Sequence, residues 1–305
     1  MQRYVLKRIF QSLLTLLVLS VLIFLVCRLT GDPVTLMLPD DASYEDIMQL
    51  RAALGLDRPL PVQYWRFLKS AVQGDFGRSI KGQMPVLDLI MERLPHSIRL
   101  AMVSLVITIG LAFPLGVMAA VKKGSAIDTL ANLIAVLGQS LPQFWVGIVL
   151  IQIFAVHLRW LPVAGTGSPW HYILPGFTLG WFLVAGIMRL LRSSMLDVLD
   201  SEFVKLARIK GVSGWSVVWK HALKNAIMPV LTFAAIYLAI LLTGAILVET
   251  VFAWPGIGQL IYQGIVYRDF PVIQAVVLLT AVIVVSVNFM VDITYAYLDP
   301  RIRLQ

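Results

Sequence analysis

The residues that could do chemistry are concentrated in one polar stretch, Met195 to Thr232, which lies between two long apolar segments. Charged side chains recur there at three- and four-residue spacing beside leucine and phenylalanine, as in an amphipathic helix. Gly211 follows the first such run, where helices commonly end on a residue with positive φ. Ser213 is suited to cap a second helix by accepting hydrogen bonds from N–H groups two and three residues further on. We therefore predict two short helices joined at Gly211, the first from Met195 to Lys210.

The chemistry that this pattern predicts is binding rather than catalysis. A basic amphipathic helix can lie on lipid headgroups, with tryptophan as an anchor. However, anionic lipids would repel the acidic residues Asp197, Asp200 and Glu202, and lipid binding does not account for a sharp turn at a glycine. We therefore favour a soluble protein as the partner of this stretch and keep the lipid surface as the alternative.

Enzymatic motifs are missing from the sequence. It contains no Gly-Lys pair, so the phosphate-binding pattern G-x-x-x-x-G-K-[ST] cannot occur, and H-E-x-x-H, C-x-x-C and G-x-S-x-G are also absent. The single cysteine, Cys27, excludes an intramolecular disulfide. We expect no catalysis and no metal site in this chain, so any energy source must lie on another polypeptide.

The composition is that of an integral membrane protein. Of the 305 residues, 59% are hydrophobic and 14% are charged, against about 25% charged residues in a soluble domain. A membrane-spanning helix needs about 20 mainly apolar residues, because its backbone polar groups must be satisfied within hydrocarbon. The first apolar segment is too long for the core of a signal peptide and is expected to be retained. We predict an all-α fold with six transmembrane helices, at residues 9–28, 98–121, 129–156, 172–191, 226–248 and 271–292.

Lysine and arginine set the predicted orientation, because they are enriched on the cytoplasmic side of membrane proteins. With the N-terminus inside, the short outer loops carry only Arg159 and Arg268. The inner segments then carry Arg3, Lys7, Arg8, Lys122, Lys123, Arg192, Lys205, Arg208, Lys210, Lys220, Lys224, Arg301 and Arg303. Both termini and the 192–225 loop are therefore predicted to face the cytoplasm. This bias explains the net charge of +8, so no nucleic-acid partner is expected.

The spans divide the chain into predicted parts that differ in their surroundings. These parts are the N-terminus with the first span (1–28), an outer loop (29–97), a core of five helices that includes the 192–225 loop (98–292), and a cytoplasmic tail (293–305). Within the outer loop, apolar residues at helical spacing predict helices at 44–56 and 61–72. This loop is either a cap over the helices or a platform for a soluble protein that delivers substrate.

Polar residues interrupt the third predicted span. Gln139, Ser140 and Gln143 lie within its apolar run, beside Pro142. Such side chains either line a path for a polar solute or hydrogen-bond to a neighbouring helix, and the sequence does not favour one over the other. Charged residues are absent from the centres of the predicted spans, which argues against a carrier driven by a proton or sodium gradient.

Motifs along nearly the whole chain resemble those of the dipeptide, oligopeptide and nickel permeases of ABC importers. The polar stretch carries E-F-V-K-x-A-R-x-K-G from Glu202 to Gly211 and H-A-L-K-N-A-x-x-P-x-x-T from His221 to Thr232. Further similar segments are GDP at Gly31–Pro33, LPQFWVGIVLI at Leu141–Ile151, LPVAG at Leu161–Gly165, VETVFAWPGIGQL at Val248–Leu260, RDFPVIQ at Arg268–Gln274 and VDITYAYLDPRIR at Val291–Arg303.

The resemblance implies a set of partners. It predicts a second, homologous permease in the bacterial inner membrane, two cytoplasmic ATPases that bind ATP and Mg²⁺, and an extracytoplasmic substrate-binding protein. This chain itself would hold no cofactor and would alternate between inward and outward access. One departure concerns the more general loop pattern of ABC permeases, Glu-Ala-Ala before the glycine. It is matched here only at Ala207 and Gly211, with Lys205 in place of the glutamate.

By this resemblance, the polar stretch is the loop that couples the ATPases to the membrane helices. Its glycine would permit the turn, its apolar residues would fill a groove on an ATPase, and its cations would pair with acidic residues there. The predicted coupling residues are Glu202, Phe203, Leu206, Ala207, Arg208, Lys210, Gly211, Lys220 and His221.

The predicted substrate is a dipeptide or oligopeptide, with glutathione and nickel complexes as alternatives that the same family implies. The spans lack a cluster of histidine, cysteine and methionine suited to nickel, which favours a peptide. Two other classes of protein are alternatives, an ion-coupled secondary transporter and a non-transporting anchor for a cytoplasmic complex. The large outer loop and the polar third span argue against the anchor.

Overall fold

The computed structural model describes residues 2–30, 34, 38, 43–53, 55–243 and 245–298, and these ranges are helical almost throughout. Within them, β pairing is limited to an isolated bridge between Arg78 and Pro85. The predicted all-α class is confirmed. The predicted motif at 31–33 and the part of the predicted tail from 299 to 305, with its two arginines, lie outside the described residues.

The helices are numbered here in chain order. They are α1 (Gln2–Thr30), α2 (Tyr44–Ala53), α3 (Leu60–Val72), α4 (Val86–Val121), α5 (Ala126–Ser140), α6 (Gln143–Leu150), α7 (Ile173–Leu199), α8 (Glu202–Ile209), α9 (Gly214–Ser216), α10 (Leu223–Thr243), α11 (Ile246–Val251), α12 (Ile257–Val266) and α13 (Phe270–Leu298). α6 continues as a π-helix (Ile151–His157), a second π-helix (Val217–Ala222) joins α9 to α10, and a 3₁₀ turn (Pro169–Tyr172) precedes α7. The predicted outer helices at 44–56 and 61–72 are confirmed as α2 and α3, although α2 spans Tyr44–Ala53 and residues 55–56 lie in a turn.

Four stretches of the described chain are long and apolar enough to cross a membrane on their own. They are Val5–Thr30, Val86–Val121, Pro169–Leu199 and Phe270–Met290, and the bent pair α5–α6 with its π-helix makes a fifth if it is one span. The 21-residue helix α10 covers most of the predicted span at 226–248. The described residues thus account for four or five spans, and the number six stays a prediction.

The predicted third span is not one continuous helix. α5 and the helix that begins with α6 meet at Leu141 and Pro142 with a bend of 109°. Leu141 is extended, with φ −88° and ψ 129°, because the ring of a following proline disfavours helical backbone. Pro142 also has no N–H to donate back into α5. The chain from 129 to 156 is therefore two helices, although its apolar run predicts one.

The chain divides into two compact units, residues 98–254 and residues 1–97 with 255–305. In the first unit α7 is the central helix, and α5, α6 and α10 pack against it. Glycines permit α5 and α4 to approach α7 closely, since a Cβ on Gly138 would overlap the Ala185 Cβ, and a Cβ on Gly180 would overlap the hydroxyl of Thr108 in α4. Hydrocarbon provides no hydrophobic force between helices, so close packing of small residues holds them together.

An ion pair fixes one end of this unit. Arg192 of α7 donates from Nε to Asp128 Oδ1 at 2.6 Å and from Nη2 to Asp128 Oδ2 at 2.8 Å. Asp128, in the first turn of α5, also accepts from Gly124 N at 2.9 Å and from Asn132 Nδ2 at 3.1 Å. Asp128 is only 5% exposed, and this two-pronged geometry is the strong form of the arginine–carboxylate pair. This ion pair holds the N-terminal turn of α5 against the C-terminal part of α7.

In the unit of residues 1–97 with 255–305, α13 packs against both α1 and α12. α3 contacts α1 through aromatic rings, since Phe24 lies 5.5 Å from Tyr64 between ring centroids. Apolar side chains at the start of α4 pack with those of α12 and α13. Ser97 Oγ accepts a hydrogen bond from Ile257 N at 2.8 Å, which fixes the start of α12 against α4.

Glycine packing yields a first prediction. Gly138→Ala should lower the stability of the folded chain by about 1–3 kcal/mol, the usual cost of overpacking, because the new methyl group would overlap Ala185. Gly110→Ala is the matched control, since Gly110 is also inside an apolar helix but has open space around its Cβ position. Thermal unfolding in detergent should give a lower midpoint for Gly138→Ala only. Equal midpoints for the two variants would contradict the packing of α5 on α7.

Candidate functional site

The polar stretch between α7 and α10 is where the structure departs most from the predicted helices. The predicted single helix from Met195 to Lys210 is wrong, because the chain leaves the helix at Asp200 and Ser201. Ser201 is extended, with φ −70° and ψ 151°, and its carbonyl accepts from Val204 N at 3.1 Å and Lys205 N at 3.2 Å to begin a new helix. Its hydroxyl also donates to the Val198 carbonyl at 2.5 Å, at the end of α7.

This break separates two groups of apolar residues that the sequence places on one helical face. Leu196 and Leu199 belong to α7 and pack against the core cluster of the unit 98–254. Phe203 and Leu206 belong to α8 and are 45% and 51% exposed. The first pair therefore supports the fold, and only the second pair is available to a partner.

α8 presents an apolar face to the outside of the described chain. Val204 is fully buried and attaches the helix to the rest of the unit, whereas Ile209, at the end of the helix, is 81% exposed. The Lys205 ammonium lies 2.8 Å from the Glu202 carboxylate, in an exposed pair that contributes little to stability. This eight-residue helix exposes phenylalanine, leucine and isoleucine and buries one valine. Exposed apolar side chains of this kind are typical of a site that binds another protein.

The turn after α8 is closed at Gly211, as the sequence predicts. Gly211 has φ +77°, its N–H donates to the Arg208 carbonyl at 3.0 Å, and Val212 N donates to the Ala207 carbonyl at 3.2 Å. These two bonds form the Schellman motif, which satisfies the last carbonyls of a helix and requires a left-handed residue. The predicted role of this glycine as a helix stop is confirmed.

The second predicted helix proves to be the beginning of the next long helical segment. Ser213 accepts from Ser216 N at 3.4 Å, which confirms the predicted cap. From there α9, the π-helix Val217–Ala222 and α10 follow without a gap. Trp215 is 73% exposed, and its ring stacks at 5.2 Å on Trp219, which packs against the core cluster.

We call the exposed part of this region the docking surface. It consists of the apolar side chains Phe203, Leu206, Ile209 and Trp215 with the exposed cations Arg208, Lys210 and Lys220. Of the other predicted coupling residues, Glu202 is exposed, Ala207 and His221 are half-buried, and Gly211 forms the turn. Ile209 and Trp215 are not among the predicted residues. The i+3 spacing of Phe203, Leu206 and Ile209 is the signal in the sequence that could have identified Ile209.

The docking surface is connected to the core by buried contacts. Ser194 of α7 donates to the Ala226 carbonyl of α10 at 2.9 Å. Met195, Val217 and Ala222, which lie next to the surface along the chain, are each at most 1% exposed, and Met195 and Ala222 belong to the core cluster. α8 itself packs against α7 and against the π-helix Val217–Ala222, so a force on α8 would act on both.

The predicted path residues lie around the bend between α5 and α6. Gln139 and Ser140 are exposed at the end of α5. Gln143 is half-buried, and its Nε2 donates to the Leu179 carbonyl of α7 at 3.5 Å. Gln143 thus contacts a neighbouring helix, which is one of the two roles that the sequence leaves open, and the role of all three side chains in a translocation path stays a prediction.

Comparisons with known proteins agree with this arrangement. Residues 112–304 match the family described as the inner membrane component of binding-protein-dependent transport systems, and residues 1–101 match its N-terminal component. The chain belongs to this family: it is the permease subunit of an ABC importer, an integral inner-membrane protein and not an enzyme.

Relatives match the chain over its whole length. It is 43% identical over 304 residues, 99% of each chain, to the glutathione transport system permease protein GsiC of Escherichia coli (strain K12). The GsiC proteins of Shigella flexneri serotype 5b (strain 8401) and Salmonella paratyphi A (strain ATCC 9150 / SARB42) match with the same identity and coverage. The predicted resemblance to this group of permeases is confirmed.

Solved structures share the fold. The inward-facing MetNI methionine ABC transporter aligns with a TM-score of 0.56 and 20% identity, over 69% of this chain and 96% of that chain. An amino acid ABC transporter aligns with a TM-score of 0.55 and 14% identity, over 69% and 94%. At these identities the likeness concerns the fold alone, which is that of ABC importer permeases.

The turn at Gly211 gives the second prediction. Gly211→Val should strain the turn by about 1–2 kcal/mol, because a Cβ disfavours left-handed backbone, and should reduce substrate uptake although the subunit still inserts. Gly214→Val is the matched control, since Gly214 is also exposed but begins α9, has open space around its Cβ position and has no positive φ. Gly211→Asn should be milder than Gly211→Val, because asparagine tolerates this conformation.

The measurement combines hydrogen exchange of the 200–216 amides with uptake by cells that carry each variant. Faster exchange and reduced uptake are expected for Gly211→Val alone. Normal uptake in that variant, or the same loss in Gly214→Val, would show that the left-handed turn is not required.

Proposed function

We propose that this subunit pairs with a second, homologous permease, binds cytoplasmic ATPases through the docking surface, and imports glutathione or a closely related small peptide. ATP would be hydrolysed on the partner chains. The observation that carries the proposal is the docking surface itself. On α8, three large apolar side chains are 45% to 81% exposed while Val204 holds the helix to the core.

The physical argument for a protein partner concerns this exposed apolar area. Each Å² of apolar surface left in water costs about 25 cal/mol relative to burial, so a contiguous apolar patch favours association. The cations Arg208, Lys210 and Lys220 are exposed in the same region of the chain and would pair with acidic residues of a partner groove. An apolar centre with a polar rim is the usual organisation of a protein interface.

Coupling would follow from the buried attachments of this region. Closure of the ATPases would displace α8, and Val204 together with the Schellman turn at Gly211 would transmit that displacement to the bundle. The short bonds between Ser194 and Ala226 and between Arg192 and Asp128 would keep α5, α7 and α10 moving together. Rigid elements joined at a hinge are the usual means of alternating access.

The proposed substrate rests on the relatives. GsiC is named as a permease of a glutathione transport system, and glutathione is a tripeptide, so it falls within the predicted peptide class. The alternative of a nickel complex has less support, because the described residues contain no group of three or more metal-ligating side chains. We therefore place glutathione first and other small peptides second.

A third prediction tests the docking surface. Ile209→Asp should lower the amount of ATPase that co-purifies with the transporter by about tenfold, the effect of losing ~1.4 kcal/mol of binding, because a carboxylate would be buried in an apolar contact. Val72→Asp is a close control, since Val72 is also the last residue of a short helix and is also 81% exposed. The ATPase is quantified by mass spectrometry after purification of the tagged chain from cells that produce the whole transporter.

Equal recovery of the ATPase from the two variants would contradict the proposed docking surface. A uniform loss in both would indicate a general defect in folding and would also remove support from it. Recovery that falls for Ile209→Asp alone would place the contact on α8.

A fourth prediction concerns the substrate and the energy source. Cells without this subunit should lose uptake of labelled glutathione, and unlabelled glutathione should compete better than a dipeptide in cells that carry it. Uptake should stop when ATP is depleted and continue when an ionophore removes the proton gradient at constant ATP. Uptake that follows the gradient would instead indicate an ion-coupled carrier. Uptake of dipeptides without glutathione would overturn the proposed substrate and leave the importer assignment in place.

A further inference from the structure

A second polar site lies in the unit formed by residues 1–97 with 255–305, apart from the docking surface along the chain. It is a pocket of about 230 Å³ between the 79–82 segment, α4, α12 and the start of α13. Asp269, which lines it, is only 3% exposed. Its Oδ2 accepts from Ser79 Oγ at 2.5 Å and from Lys81 N at 3.2 Å. Its Oδ1 is buried and has no hydrogen-bond partner among the residues that the structure describes.

Two cations line the same pocket. Lys81 Nζ lies 3.0 Å from the centroid of the Tyr267 ring, which holds the ammonium by a cation–π contact. Arg93 Nη1 donates to Gln259 Oε1 at 3.2 Å, and Arg93 Nε is buried without a partner in the described part of the chain. The pocket is thus lined by a buried carboxylate, a guanidinium and an ammonium.

We propose that this pocket binds the α-amino acid group of a small zwitterion, with the ligand's ammonium on Asp269 and its carboxylate on Lys81 and Arg93. A simple cation would be repelled by Lys81 and Arg93, and a simple anion would be repelled by the buried carboxylate. A ligand that carries an ammonium and a carboxylate on the same carbon offers a partner of opposite charge to all three groups.

The size and walls of the pocket agree with such a ligand. Sites for drug-sized ligands are about 300–1,000 Å³, so a pocket of about 230 Å³ suits a molecule no larger than one amino acid or the end of a short peptide. Leu89, Leu260 and Val272 form its apolar wall, where the ligand's carbon chain would lie.

The polar groups are held in place before any ligand binds. Ser79 is 3% exposed, its Oγ accepts from Gly82 N at 2.7 Å, and Val86 N donates to Gly77 O at 3.0 Å to close the segment. The bond between Ser79 and Asp269 alone would explain why this loop is fixed. It does not explain why two cations line the same pocket as this carboxylate, and a bound zwitterion does.

Two ligands share the required chemistry. Free glutamate carries an α-ammonium and an α-carboxylate, and so does the γ-glutamyl end of glutathione. The inference does not depend on which molecule the membrane helices transport, since a free amino acid could occupy the pocket during import of another substrate.

The fifth prediction tests this site on the full-length chain in lipid nanodiscs by isothermal titration calorimetry with glutamate. Saturable binding is expected. N-acetylglutamate, which lacks the ammonium, and isoglutamine, which lacks the α-carboxylate, should bind about tenfold or more weakly. Lys81→Gln and Arg93→Gln should each weaken glutamate binding by a similar factor, and Lys69→Gln, an exposed cation of the same unit outside the pocket, should leave it unchanged.

Competition between glutamate and glutathione shows which of the two molecules the pocket binds. Displacement of glutamate by glutathione would show that both present the same group, and binding of only one would assign the site to that one. Absence of saturable binding for both, or unchanged affinity in Lys81→Gln and Arg93→Gln, would overturn the proposal. Lys81 is exposed, so Lys81→Gln tests the site without changing a buried residue. Asp269 is buried, so glutamate binding by Asp269→Asn is interpreted only together with the thermal unfolding midpoint of that variant.

Discussion

The constraint on which this structure depends is the need to satisfy backbone hydrogen bonds where no water is available. In hydrocarbon only a helix meets it within a single segment, and the described residues are accordingly helical almost throughout. The chain leaves the helix where other groups take over the bonding or where proline forbids it. Pro142 bends one apolar segment, and Ser201 and Gly211 delimit α8. Because Ser201 and Gly211 lie ten residues apart, the chain between them forms the short helix α8, which carries most of the apolar side chains of the docking surface.

Helix association in the unit 98–254 follows from the same constraint. Lipid chains are as apolar as leucine, so the helices are held by close packing and by polar pairs rather than by the hydrophobic effect. Gly138 and Gly180 allow the backbones of α5 and α4 to approach α7, while Asp128 and Arg192 fix the ends of α5 and α7. α7 makes all of these contacts, and α8, the helix proposed to bind an ATPase, follows it after a break of two residues.

Each unit contains one group of side chains that could bind a partner or ligand, and buried contacts hold each group in place. The exposed side chains of α8 are supported by the buried Val204, and the charged groups of the pocket are supported by Ser79 and by the Tyr267 ring. Preorganisation of this kind lowers the entropy that a partner or ligand must lose on binding. The turn after α8 needs glycine for the same purpose. Its Schellman motif fixes the direction in which the chain continues and requires a residue with left-handed backbone.

The sequence by itself determined the features that depend on neighbouring residues. The apolar runs predicted a membrane protein built of helices, and the motifs predicted its family. Gly211 and Ser213 predicted the end of one helix and the cap of the next. Tertiary structure decided what depends on distant residues. The break at Ser201, the burial of Val204 beside the exposed Ile209, and the pairing of Ser79 with Asp269 across 190 positions all follow from which surfaces meet in space. A one-dimensional pattern gives the period of a helix, but only packing decides which of its faces is covered.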